Sequence, residues 1–191
     1  MTKDINRIIT KALRHEPHLL DLTPDKAGYC SVSSIIKGLK EKGFSVSKSD
    51  IEQVGENERF SFNDESHTKM RADYGNSIGL KLSDMFQTES YPPEWLYHGT
   101  SQEFLKSIQQ KGIVRIGVNE NKGRDHIFLT ESKSVAIKKG SRHGKSVGLP
   151  IKAQEMAKAG YKIYYVKNDI WLTDHIPVEY IDFSKMFFTN E

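Results

Sequence analysis

Apolar residues recur at helical spacing along the first part of the chain. Ile5, Ile8, Ile9, Ala12 and Leu13 predict an amphipathic helix over residues 4–15. Glu16-Pro17 ends it, because the residue before a proline is pushed out of the α region. Arg14 and His15 therefore fall on its last turn. A second helix is predicted from near Ser33, carrying Ile35, Ile36 and Leu39 and closing at Gly43. A third begins at Ser47, where Ser47 and Asp50 have the spacing of a capping pair. The period then changes. Arg59-Phe60-Ser61-Phe62 and Lys69-Met70-Arg71-Ala72, separated by Asn63-Asp64-Glu65-Ser66, predict a hairpin. Three short helices followed by a hairpin point to a winged-helix-like lobe over residues 1–90.

The segment 83–94 is polar and ends in Tyr91-Pro92-Pro93-Glu94, the composition of a linker. Beyond it, over residues 91–191, the pattern is mostly β. Trp95-Leu96-Tyr97 reads as a strand ending in His98, with Gly99 and Thr100 opening a helix that carries Phe104, Leu105 and Ile108 and closes at Gly112. Further strands are predicted at His126–Thr130, Val147–Ile151, Tyr161–Val166 and Ile170–Thr173, with short helices around 133–139 and 152–158. The fold class is α+β, with a mixed β lobe and no internal repeat. Neither Gly-x-Gly-x-x-Gly nor Gly-x-x-x-x-Gly-Lys-Ser/Thr occurs, which counts against Rossmann and P-loop nucleotide binding.

Composition narrows the class without deciding it. The 191 residues are 37% hydrophobic and 28% charged, enough for a core and for solubility. No apolar run reaches the roughly 18 residues of a membrane helix. The start MTKDINRIIT lacks a signal peptide's apolar segment, so the expectation is a cytoplasmic, monomeric protein. Cys30 is the single cysteine, which leaves no internal disulfide and no thiolate metal cluster. The net charge of +3 is unevenly spread. Residues 122–145 hold seven basic residues against two acids, with His126 and His143 beside them. Such a patch attracts phosphates; a solvated lysine-rich face reads the same way.

Three groups carry candidate chemistry. In Tyr97-His98-Gly99-Thr100, a strand-to-helix turn would offer an imidazole donor and free backbone N–H groups, and Gly99 would let a ligand approach. A plain turn with a helix cap explains the same tripeptide. Leu13-Arg14-His15 is the second group. A cation suits a helix C-terminus, but that does not call for an Arg-His pair followed by Glu-Pro. The third is Arg59 with Arg71. Arg59 is flanked by Glu56 and Glu58, so a surface salt bridge competes with a phosphate contact, while Arg71 shares a strand face with Lys69. His18, His67 and His175 read as surface or structural residues. No histidine pair has the spacing of a zinc helix, so no metal is expected. Tyr161, Tyr164 and Tyr165 read as strand packing, with base stacking as the alternative.

Taken together, the chain resembles the RNA 2′-phosphotransferase family from about residue 5 to 183. The anchors are Leu13-Arg14-His15, Arg59-Phe60, Arg71-Ala72 with Gly75 and Ser77, Tyr97-His98-Gly99-Thr100, Arg124-x-His126, Arg142-His143-Gly144 and Trp171-Leu172-Thr173. The resemblance implies a winged-helix N-lobe and an ADP-ribosyltransferase-like C-lobe. It implies that Arg14, His15, Arg59 and Arg124 surround an RNA phosphate, with Arg71 and Ser77 on the substrate. It implies that His98, Gly99, Thr100, His126 and Arg142 hold NAD⁺ as co-substrate. The implied partners are NAD⁺ and an RNA bearing a 2′-phosphate, of the tRNA splice-junction type. In the implied reaction the phosphate displaces nicotinamide from the ribose. The ribose 2″-hydroxyl then releases RNA with a free 2′-OH and ADP-ribose 1″,2″-cyclic phosphate.

The sequence departs from the family pattern at Asn57, Tyr74, Asn76, Phe128 and Asp169. Two other readings therefore compete: an ADP-ribosyltransferase acting on protein or nucleic acid, and a catalytically decayed module that only binds RNA. Glu56-Asn57-Glu58 has the Glu-x-Glu spacing of the first but lies in the wrong lobe, ahead of His98.

Overall fold

The computed structural model describes residues 2–86, 91–115, 125–141 and 144–188. They divide into two compact units, the first holding residues 2–85 together with Asp125 and the second the remaining residues from Phe86 onward. The class is α+β.

In the first unit, α1 spans Thr2–Arg14 and a 3-10 turn follows at Pro17–Leu20. Next come β1 (Cys30–Ser31), α2 (Val32–Glu41), α3 (Lys48–Gly55), β2 (Phe60–Phe62), β3 (Lys69–Ala72) and the short α4 (Leu82–Met85). The predicted stripe on α1 is buried: Ile5, Ile9, Ala12 and Leu13 pack with Ile35, Leu39, Ile51, Phe60 and Met70 in one core. Each such side chain removed from water contributes on the order of 2 kcal/mol. The predicted cap of α3 is a full capping box. The Ser47 N–H donates to the Asp50 carboxylate at 2.8 Å, and the Asp50 N–H donates to Ser47 Oγ at 3.3 Å. The hairpin also forms, with Phe60 opposite Ala72, and β1 adds to its other side in the order β1-β3-β2.

Part of the predicted linker is structured. Residues 82–85 make a helical turn because the buried Arg71 reaches it, its Nη1 donating to the Met85 carbonyl at 2.7 Å.

The second unit is built on a six-stranded sheet in the order β11-β7-β4-β6-β9-β8. Its strands are β4 (Trp95–Ser101), β6 (Ile127–Thr130), β7 (Ser146–Lys152), β8 (Ile163–Lys167), β9 (Ile170–Thr173) and β11 (Phe187–Phe188), every neighbour antiparallel. A separate pair joins β5 (Ile113–Val114) to β10 (His175–Ile176). Helices α5 (Leu105–Lys111), α6 (Lys133–Gly140) and α7 (Ala153–Lys158) complete it. Leu96, Leu129, Leu149, Ile151, Met156 and Ile176 form the core. Asn168 and Asp169, both at positive φ (47° and 59°), make the two-residue turn between β8 and β9. That is the backbone a hairpin with right-handed twist needs.

One prediction is corrected here. Tyr97-His98-Gly99-Thr100 is neither a strand end nor a helix start; all four lie within β4, paired through Ser101 with β7. Gly99 stands opposite Gly148, and a Cβ on it would overlap the Ala136 carbonyl oxygen of α6. Gly140 is equally confined, its missing Cβ pointing at the Thr100 backbone at 2.7 Å. The glycines exist so that α6 can lie against the strand. Gly99→Ala should push α6 off the sheet and cost about 3 kcal/mol or more, visible as a drop in thermal midpoint. A wild-type midpoint would refute this packing role.

Candidate functional site

In the first unit, the C-terminal end of α1 is closed by a loop. The Ser77 N–H donates to the Arg14 carbonyl at 2.9 Å, satisfying a helix-end acceptor. The Ser77 hydroxyl lies 2.7 Å from His15 Nδ1. The Arg14 guanidinium lies over the Tyr74 ring, 5.1 Å from its centroid. Arg14 and His15 are thus brought together with Ser77, 62 residues beyond His15 in the sequence. Arg59 opens β2, where its carbonyl accepts from the Asp73 N–H at 2.9 Å and its own N–H donates to the Asn57 side chain at 3.1 Å. Among the described residues it forms no ion pair with Glu56 or Glu58; Glu58 instead accepts from the Tyr74 hydroxyl at 3.3 Å. Burial, reinforced by Glu58, holds the Tyr74 phenol above its ordinary range against the opposing charges of Arg14 and Arg59. Two guanidiniums whose charges reach one ring, with an imidazole on the adjoining helix end, make a set suited to an oxyanion.

The loop is held from its other side by Asp125. Its carboxylate accepts from the N–H groups of Ile78 (3.2 Å), Gly79 (3.1 Å) and Leu80 (3.0 Å), and its own N–H donates to the Asn76 carbonyl at 2.8 Å. Charge-assisted bonds of this kind contribute about 1.5–3 kcal/mol each.

Arg71 has another role. It is only 7% exposed. Its Nε donates to the fully buried Asp73 at 3.0 Å, its Nη1 to the carbonyls of Ala27 and Met85, and its guanidinium lies 4.7 Å from the centre of the Tyr29 ring. It does share a face with Lys69, which pairs with Asp25 at 3.3 Å. Through Nε and Nη1 Arg71 is an internal tie onto the protein's own acceptors.

In the second unit, His98 and Thr100 occupy the face of β4 opposite to that of Gly99. The strand meets β6 at a single register pair, Tyr97 with Thr130. Next to it the His98 ring bridges the two strands, Nδ1 lying 2.9 Å from the Phe128 carbonyl. A carbonyl only accepts, so Nδ1 carries the proton and Nε2 of the neutral ring is an acceptor. Burial lowers the pKa of His98, outweighing that hydrogen bond, and keeps the ring neutral. The imidazole donor expected from the sequence is therefore an acceptor toward any ligand.

His126 is the second imidazole. Its side chain is 1% exposed, and Nδ1 meets the Asp174 carboxylate at 3.3 Å. Its Nε2 is buried with no hydrogen-bond partner among the described residues. The hydrogen bond from His126, with Arg115 3.6 Å away, lowers the pKa of Asp174. Arg124 and Arg142 lie outside the described residues.

Comparison with known proteins places the chain. The sequence profile of the family described as RNA 2′-phosphotransferase, Tpt1/KptA family, matches residues 2–175. The chain belongs to this family. It is 35% identical over 187 residues to a probable RNA 2′-phosphotransferase of Flavobacterium johnsoniae, covering 96% of this chain and 97% of that one. A probable RNA 2′-phosphotransferase of Fusobacterium nucleatum is 36% identical over 183 residues, 94% of this chain and 97% of its own. One of Pseudomonas syringae pv. tomato is 30% identical over 181 residues, at 93% and 92% coverage. As a member of the RNA 2′-phosphotransferase family the chain is a transferase.

The roles of three residues were not read from the sequence. Tyr74 supports Arg14, Asp125 grips the loop, and Asp174 meets His126. Asp174 comes beside His126 only through the pairing of Ile127 with Thr173, which places residues 126 and 174 next to one register pair. Asp125 had a weak signal, an acid inside a basic run.

Two tests follow from this geometry. Asp125→Ala should strand three backbone donors, costing about 2 kcal/mol or more. Hydrogen exchange would read it as faster exchange at Ile78, Gly79 and Leu80; unchanged protection would count against the grip. His98, with its folded pKa below the ordinary 6.5, is protonated in the unfolded chain first. Stability should therefore fall as pH drops below about 6.5, with a slope of at most about 1.4 kcal/mol per pH unit from this group, levelling off below the folded pKa. Urea titrations of wild type and His98→Asn between pH 5 and 8 should differ by that slope. Parallel curves would refute the neutral ring.

Proposed function

We propose that this protein is an NAD⁺-dependent RNA 2′-phosphotransferase. It moves an internal RNA 2′-phosphate, of the kind left at a tRNA splice junction, to NAD⁺. The products are RNA with a 2′-OH, nicotinamide and ADP-ribose 1″,2″-cyclic phosphate. The observation that carries the reading is the end of α1, where Arg14 and His15 are held by Tyr74 and Ser77 in a chain of this family.

In this reading Arg14 and Arg59 grip the RNA phosphate, joined by Arg124. Guanidiniums stay charged at every working pH and match phosphate oxygens in pairs, so they can stabilise charge as it builds. The 2′-phosphate is already an anion, so positioning matters more than a strong base. His15 sits against a hydroxyl that can donate or accept, so either tautomer is accommodated and its Nε2 can give or take a proton. Ser77 serves as the orienting group, while Arg71 acts on substrate only by keeping the loop in place.

The residues of the second unit fit NAD⁺. A buried polar atom without a partner costs about 1–3 kcal/mol, and among the described residues His126 Nε2 is such an atom. A hydroxyl-bearing ligand would satisfy it. His98 Nε2 offers a second acceptor for a ribose hydroxyl, with Thr100 on the same strand face, Gly99 beside them and Arg142 completing the set. Bound there, NAD⁺ supplies a ribose carbon bearing nicotinamide as leaving group. We read the first unit as winged-helix-like, on its helices and small antiparallel sheet, and the second as ADP-ribosyltransferase-like. No helix among the described residues is long and apolar enough to cross a membrane, in keeping with a cytoplasmic enzyme; we read it as a monomer.

The test is incubation with NAD⁺ and an RNA carrying one internal 2′-phosphate. Loss of that phosphate with formation of the cyclic phosphate is the expected result. ADP-ribose left on RNA or protein would instead indicate an ADP-ribosyltransferase, and RNA binding without NAD⁺ consumption a module that only binds. Arg14→Ala and Arg124→Ala should each lower turnover at least tenfold, about 1.4 kcal/mol. Wild-type rates in both would remove the phosphate assignment.

A further inference from the structure

The Arg14 guanidinium is held by more than its own helix. A flexible arginine carries a large rotamer entropy, and an arginine that must meet a phosphate in one geometry works better if that freedom is already spent. Here the Arg14 Cζ lies over the Tyr74 ring, 5.1 Å from the centroid. The next residue, Gly75, has φ 78°, and a Cβ there would stand 3.3 Å from Arg14 Cζ and 3.4 Å from Nη1. The guanidinium thus rests on an aromatic face and alongside a backbone that only glycine can supply. The ring itself is fixed. It is 4% exposed, and its hydroxyl donates to Glu58 at 3.3 Å. Its place follows from the fold: the Asp73 N–H pairs with the Arg59 carbonyl, so Tyr74 is the first residue beyond the hairpin's last backbone bond.

We infer that Tyr74 is a positioning residue, a platform that fixes the Arg14 guanidinium for the RNA phosphate, with Glu58 holding the platform through the phenol. The inference rests on the proposed phosphotransfer for its consequence in catalysis, though the platform itself does not depend on it. The aromatic face does the holding; the hydroxyl only holds the ring. Tyr74→Phe therefore keeps most of the effect and Tyr74→Leu loses it.

The experiment uses the full chain as wild type, Tyr74→Phe and Tyr74→Leu, each checked for a cooperative thermal transition. The first readout is ¹⁵N relaxation of the Arg14 Nε–H group, assigned by its disappearance in Arg14→Lys. The expected result is a rigid group in wild type and Tyr74→Phe and a mobile one in Tyr74→Leu. The second readout is steady-state kinetics with NAD⁺ and 2′-phosphorylated RNA. Tyr74→Leu should raise KM for the RNA at least fivefold and leave KM for NAD⁺ within twofold, while Tyr74→Phe stays within twofold for both. Simple loss of folded protein would lower kcat and leave both KM values alone, and that pattern would overturn the inference. So would an Arg14 group equally rigid in all three proteins. A wild type inert toward 2′-phosphorylated RNA would overturn the proposed function, and the relaxation arm would still decide the platform.

Discussion

The contact on which the rest of the first unit's chemistry depends is the closure of α1 by the loop that follows the hairpin. A helix end leaves carbonyls that need donors, and here Ser77 supplies one to Arg14 itself. The same residue's hydroxyl meets His15, so one serine satisfies the backbone and orients the imidazole. The loop could not do this if it were free to move. Asp125 takes up the amides of residues 78 to 80, and the buried Arg71–Asp73 pair ties the preceding strand to two carbonyls. Polar groups that would be costly unpaired are arranged so that each fixes its neighbour.

The second unit solves a different problem. Its candidate ligands are imidazoles, whose use depends on which nitrogen bears the proton. For His98 a backbone carbonyl decides this, and for His126 a carboxylate meets Nδ1. In both rings Nε2 is the nitrogen left over. Burial works in the same direction for His98, since a charged ring would be poorly solvated there.

Most of the first unit was legible in the sequence because its signals are local. The α1 stripe, the Ser47–Asp50 cap and the hairpin each rest on residues within a few positions of one another, and each formed. The family was legible too, from short anchors that include Leu13-Arg14-His15 and Arg59-Phe60. What was not legible depends on partners far along the chain. Gly99 read as a turn because glycine usually marks one; its actual reason is α6, some 37 residues later. The internal bonds of Arg71 were not legible because the acceptors that let it be buried, Ala27 and Met85, are not recognisable as such until the fold brings them close. Tyr74 counted only as a departure from a pattern, and a ring's use as a support for a cation depends on a geometry that no spacing encodes.

The single register pair between β4 and β6 bears on mechanics. The large sheet is two laddered panels, β11-β7-β4 and β6-β9-β8, stitched at Tyr97–Thr130. A sheet resists sliding in proportion to the bonds that must break together, so this seam is its line of least resistance. The His98 imidazole crosses the seam as a side-chain rivet onto Phe128. The one ring that holds the panels together at this seam is thus also one of the two imidazoles of the second unit's candidate site.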